Sequence, residues 1–202
     1  MRKKDINAFF NAIRKGDSEQ VAALVRADKA YLTVCRAAPP KQDDGQSGLQ
    51  VAFKAGQLAI ATLLIEHGAD ANFQESSTVN EWTAPVLHDA VRAALFSTWS
   101  LPLDTSPPDQ VLDALYLLLR RGANPQAQDS YGNASLHRAI LDAKQVLDHP
   151  QAAAKEPQLL QQVQQVFAAL LAAGADPALA TATRLSAADM AANYRLAQYD
   201  LW

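Results

Sequence analysis

Gly122-Ala123-Asn124-Pro125-Gln126-Ala127-Gln128-Asp129-Ser130-Tyr131-Gly132-Asn133-Ala134-Ser135-Leu136-His137-Arg138-Ala139 follows a Leu-rich run, Leu115-Tyr116-Leu117-Leu118-Leu119. Two other apolar runs end in the same way. Ala61-Thr62-Leu63-Leu64-Ile65 precedes Gly68-Ala69-Asp70-Ala71-Asn72, and Phe167-Ala168-Ala169-Leu170-Leu171 precedes Gly174-Ala175-Asp176-Pro177. Three apolar helices that stop at Gly-Ala-Asp/Asn make an internal repeat, and a repeat decides the architecture before any single element does.

The phrase Asp129-x-x-Gly132, then Ser135-Leu136-His137-x-Ala139, resembles the turn and helix start of the ankyrin repeat, a turn plus two antiparallel helices in about 33 residues. Ala134 stands where that family usually has Thr, and Ser135 where it has Pro. Thr83-Ala84-Pro85-Val86-Leu87-His88-Asp89-Ala90 is a second copy with one extra residue. Gly48-Leu49-Gln50-Val51-Ala52 is a third that lacks both Pro and His. The resemblance implies an all-α ankyrin-repeat solenoid of stacked helix-turn-helix units.

Spacing extends the reading outward. From the first apolar residue of an inner helix to the last of its outer helix, Phe9 to Val25 and Leu49 to Ile65 are each sixteen positions. Leu87 to Leu119 and Leu136 to Leu171 are far longer, so two insertions enlarge the junctions between inner and outer helices. The first insertion falls at 96–108, with a loop centred on 98–106 that holds Trp99, Leu101 and Leu103. The second falls at 143–158, around His149-Pro150, because the residue before Pro is pushed out of the α region. Asp104, Thr105 and Ser106 before Pro107 supply helix-start chemistry. The expected helix pairs are 5–15/18–27, 48–55/58–66, 85–97/108–120 and 135–148/158–172, then a helix from about 186. One domain over 1–202 follows, with repeats near 5–35, 45–74, 83–128 and 133–180 and a truncated cap at 183–202. Asp28 replaces Gly at the end of the first repeat, as suits a capping unit. Leu196, Tyr199, Leu201 and Trp202 are expected to seal the last layer. Gln158, Gln161, Gln162, Gln164 and Gln165 read as the solvated face of the last outer helix.

The 202 residues are 49% hydrophobic, ample for a core, and carry a net charge of −3. That balance gives no nucleic-acid footprint, which needs a clustered basic face. No run approaches the ~20 apolar residues of a membrane span. Asp5, Asn7 and Asn11 interrupt the start as a secretory segment, so a cytoplasmic protein is expected. Cys35, a single cysteine, reads as a buried structural thiol.

Gly-x-Ser-x-Gly, phosphate-binding Gly-rich loops, Cys-x-x-Cys and His-Glu-x-x-His are all missing. Asp43-Asp44 reads as a solvated turn. The resemblance makes His88 and His137 motif histidines that bridge backbone groups. No catalytic residue, cofactor or metal is expected, and the chain reads as a binding protein rather than an enzyme.

The resemblance places the binding surface on the concave face, built from turn tips and inner helices. Residues expected there include Phe73, Glu75, Trp82, Gln126 and Tyr131 in turns, with Arg14, Val51, Lys54, Asp89, Arg92, Arg138 and Asp142 on inner helices. Trp82, Tyr131, Arg92, Arg138, Asp89 and Phe73 are the chosen partner-binding set, since aromatic and Arg side chains dominate interface hot spots. The partner is another protein, not nucleic acid or membrane, and the chain alone is expected to be a monomer. The resemblance further suggests an immunity or inhibitor protein for a cognate toxin, with an accessory subunit of an enzyme complex as the alternative.

Overall fold

A computed structural model describes residues 1–97, 110–152 and 156–202. The described residues form α1 (Lys3–Lys15), α2 (Ser18–Ala27), α3 (Gly48–Lys54), α4 (Leu58–Glu66), α5 (Val86–Phe96), α6 (Gln110–Arg120), α7 (Ser135–Leu147), α8 (Glu156–Ala172) and α9 (Ala187–Asn193). No strand occurs among them; two isolated antiparallel bridges, Cys35 with Ser47 and Gln74 with Pro85, join turn tips. The expected loop at 98–106, with Trp99, Leu101, Leu103 and the helix start at Asp104 to Pro107, lies outside the described residues. So does the middle of the second insertion, 153–155.

The helices pair as α1/α2, α3/α4, α5/α6 and α7/α8. The first members pack on one another in order, α1 on α3, α3 on α5, α5 on α7 and α7 on α9. The second members form a parallel row, α2 on α4, α4 on α6 and α6 on α8. This all-helical row is compatible with an ankyrin-like repeat fold. Between the rows runs one apolar core that includes Phe9, Val25, Leu49, Leu64, Leu87, Leu118, Ile140, Phe167 and Leu170.

The ends of the helices follow from their residues. Gly122 closes the turn after α6 at φ 86°, a left-handed conformation that a Cβ disfavours. Asp28, where the first repeat lacks Gly, is extended instead, and its carboxylate accepts the Ala30 N–H to start a 3₁₀ turn. Ser47 caps α3 and Ser186 caps α9, each accepting a backbone N–H from the third helical residue.

The third position of the inner helices ties each pair to the next. His137 Nδ1 accepts the Ala134 N–H (3.2 Å), which leaves Nε2–H to donate to the Leu185 carbonyl (2.8 Å). Gln50 does the same work without a ring: its Oε1 accepts the Ser47 N–H, and its amide donates to the Ala84 carbonyl (3.1 Å). His88 does not. The extra residue in its motif moves Pro85 from the first turn to the N-cap. Proline has no N–H to offer, so the bond back to the N-cap is lost, and what remains is a poorly aligned contact with the Ala127 backbone. Burial therefore pushes this imidazole down, to about 4.

Several expectations are corrected by burial. Asp43 and Asp44 are not solvated: Asp43 pairs with Arg14, and Asp44 accepts the Ala38 and Thr78 N–H groups and the Ser77 hydroxyl. They lock the Pro-rich loop onto α1 and the next turn. Gln162 is buried rather than solvated, and donates to the Ala94 carbonyl and the Ser97 hydroxyl at the end of α5. Those groups stand where α5 ends and need donors. Cys35 is half-buried, not buried. Leu196 and Leu201 are buried and Tyr199 packs against the core, while Trp202 stays 49% exposed with its ring edge-on to Phe167.

Candidate functional site

Inner helices α3, α5 and α7 leave a concave strip that the turn tips overhang. There the structure has a groove of about 830 Å³. Trp82, Asp89, Arg92, Tyr131 and Arg138 line it together, joined by Phe53, Lys54, Phe96, Asn133, Leu141 and Arg184. Five of the six chosen partner-binding residues thus meet on one surface. Phe73 does not line it; this side chain is half-buried and packs against the core beneath the turn.

The turn tips are held by hydrogen bonds that run from one repeat to the next. Ser130 N–H donates to the Thr83 carbonyl (2.9 Å), and the Thr83 N–H to Ser130 Oγ (3.1 Å). Thr181 and Thr183 hydroxyls donate to the Gly132 and Tyr131 carbonyls (3.0 and 2.9 Å). Asp129 organises the middle turn: it accepts the backbone N–H groups of Tyr131 and Asn133 (both 2.9 Å) and the Trp82 indole N–H (2.9 Å). Burial opposes charge on Asp129, yet the hydrogen bonds from Asn133, Trp82 and Tyr131 outweigh it and hold the carboxyl below its ordinary value. Trp82 is therefore anchored at one edge, with Lys54 Nζ 5.5 Å from its ring centroid. Tyr131 has no such tie through its ring and is 48% exposed.

The groove floor is polar and cross-linked. Gln50 on α3 donates to Asp89 on α5 (2.9 Å), and Arg92 on α5 donates to Asp142 on α7 (2.9 Å). Arg138 also clasps Asp142, through Nε (2.8 Å) and Nη2. Arg92 lies 4.7 Å over the Phe96 ring. Lys54 Nζ stands 3.7 Å from Glu75 and 3.8 Å from Asp89.

These contacts correct the set read from the sequence. Asp89 is 2% exposed, so it is a floor group and not a surface contact. Val51, Asp142 and Glu75 are buried too. Spacing places a residue on the inner-helix face, but it cannot say whether the next helix covers that residue. Phe53, Asn133 and Arg184 also belong to the groove; Phe53 and Arg184 carry no motif signal, and Asn133 sits directly after the Asp129-x-x-Gly132 turn.

Burial pushes the Asp89 carboxyl up to about 7, with Lys54 and the Gln50 hydrogen bond working against it. Below the unfolded value near 4, this group is protonated in both states. As pH rises from about 4 to about 7, the unfolded chain loses the proton first, so Asp89 subtracts stability across that window. His88, lowered to about 4 by burial, acts oppositely between about 4 and 6.5 but is common to both chains in a comparison. Asp89→Asn is therefore expected to gain stability relative to the parent between pH ~4.5 and ~7.5. Urea midpoints at the two pH values check this; an equal difference at both contradicts it.

Among the described residues, no group of three His, Cys, Asp or Glu side chains is placed to hold a metal ion. No described helix is long and apolar enough to cross a membrane.

No known protein-family profile matches the chain. A stretch of 66 residues, 33% of the chain, is 39% identical to ankyrin repeat and SAM domain-containing protein 6 of Danio rerio. The match covers 8% of that relative's length, so the chain corresponds to a small part of it. The likeness points to ankyrin repeats at the level of a local stretch, and with them to a protein-interaction module in general terms.

Proposed function

We propose that the chain is a non-enzymatic protein-binding module, a single ankyrin-repeat solenoid over residues 1–202 whose concave groove receives a partner protein. The observation that carries this reading is the convergence of Trp82, Tyr131, Arg92 and Arg138 on one groove of about 830 Å³. Aromatic and Arg side chains fixed on rigid elements lose little entropy on binding and account for most interface hot spots. Asp89 and Arg92 are engaged in cross-links between helices and Arg138 in an ion pair within α7, which supports binding over acid–base catalysis.

The test is affinity capture with the immobilised chain and with a Tyr131→Ala/Arg92→Ala variant. A partner retained by the parent and lost by the variant supports the groove; equal retention by both removes it. The narrower role, immunity or inhibition, is tested by expressing the captured protein alone and with this chain. Toxicity that the parent chain relieves and the variant does not supports that role over an accessory enzyme subunit.

A further inference from the structure

A second cavity of about 420 Å³ adjoins the groove, and Lys54 and Trp82 line both. The two make one trough, from the turn at Val79 and Asn80 to Arg184. A trough of this shape suits an extended segment better than a compact molecule.

Its charge runs against that of the chain. The whole sequence carries −3, yet the charged residues lining the larger cavity are Lys54, Arg92, Arg138, Arg184 and one carboxylate, Asp89. Asp89 is buried and faces Lys54. Arg92 and Arg138 share the single carboxylate of Asp142, so that trio keeps one positive charge in excess. The smaller cavity is mixed, with Lys41 and Lys54 against Glu75 and Glu81. The attraction for an anion is therefore concentrated at the Arg end.

Arg184, on the lining, forms no ion pair among the described residues, and its buried Nε has no hydrogen-bond partner within the protein. A carboxylate of a peptide is the complement of such a guanidinium. Asn133 is held on the same lining, its amide nitrogen within hydrogen-bond distance of both Asp129 oxygens. A nucleic acid supplies regularly spaced phosphates and calls for a stripe of uncompensated cations, whereas here Lys54 and Arg92 are each tied to a carboxylate.

We propose that the trough binds an extended acidic segment of a partner protein, with carboxylates at Arg92, Arg138 and Arg184 and an apolar or aromatic side chain against Trp82 and Tyr131. This rests on the protein-binding reading above and names the chemistry of the partner.

The test is selection of random displayed peptides of about twelve residues on the intact chain, followed by titration of a labelled synthetic copy of the most enriched one. Enriched peptides are expected to be acidic and to carry an aromatic residue. Arg92→Gln with Arg184→Gln should weaken binding about tenfold or more, and added salt should weaken it further. Both substitutions spare Arg138 and its hold on Asp142, and thermal melts of the variant confirm that it is folded. Arg26→Gln, on α2 outside the trough, should bind as the parent does. Basic or charge-neutral enrichment, unchanged affinity of the double variant, or stronger binding of an oligothymidylate than of the acidic peptide overturns the proposal. If no peptide enriches while a partner is still captured through Tyr131 and Arg92, the acidic segment is wrong and the protein-binding reading stands.

Discussion

Leu118→Ala is expected to lower the unfolding free energy by about 2–5 kcal/mol. Leu118 sits on α6 with no exposed surface. That helix packs against α4, α5 and α8, so three neighbours surround the side chain's helix and none can collapse freely into the space left behind. The loss has two parts, the transfer of the deleted methyl groups and the unfilled cavity. In a row of repeats each unit is held only by its neighbours, so a defect in the middle weakens two interfaces at once. Urea unfolding of Leu118→Ala beside Arg26→Ala measures it. A shift in midpoint no larger than that of the surface control contradicts the assigned packing.

Arg138→Ala is expected to cost about 3–5 kcal/mol near neutral pH, the usual penalty for breaking a buried ion pair from one side. Asp142 has no exposed surface, and Arg138 supplies two of its three charged hydrogen bonds. Burial already holds this carboxyl above its ordinary value despite both guanidinium groups. Without Arg138 the value rises further. The sign with pH follows: below the unfolded value near 4 the carboxyl is protonated in both states and the variant loses least. As pH rises toward neutrality the unfolded chain ionises freely while the folded one resists, so the loss grows. Adding Asp142→Asn to Arg138→Ala should recover part of the stability, because a neutral amide tolerates the missing partner. An additive double variant, or a loss independent of pH, contradicts the pairing.

The helices themselves were legible because their determinants are local. The Leu-rich stripes, the Gly after three of the four outer helices and the Ser at two N-caps sit within one turn of what they fix. Helices expected at 18–27 and 58–66 are found as Ser18–Ala27 and Leu58–Glu66. What was not legible depends on a neighbouring repeat. Gln50 in the His place works as a staple because Ala84 offers a carbonyl across the interface. Gln162 turns inward because α5 ends beside it. Asp89 and Asp142 share the spacing of exposed inner-helix residues, but Gln50 and Arg138 cover them. The extra residue before His88 was visible, while its effect, a proline at the N-cap and a histidine that loses its bond there, needed the observed helix start.

Trp82 shows how the same limit applies to the groove. The sequence marks an aromatic residue at a turn tip, but its bond to Asp129, 47 positions away, makes it partly a structural strut. Tyr131 and Arg92 are the freer members of the set, and they are the better probes of binding.

The groove is tested most directly by calorimetric titration of the recovered partner into the parent chain, the Tyr131→Ala/Arg92→Ala variant and the Arg26→Ala control. A partner seated in the groove loses about 2 kcal/mol or more of binding free energy on the double variant and nothing measurable on the control. Unchanged affinity of a folded double variant places the partner elsewhere on the molecule and contradicts the assignment of this groove as the binding site.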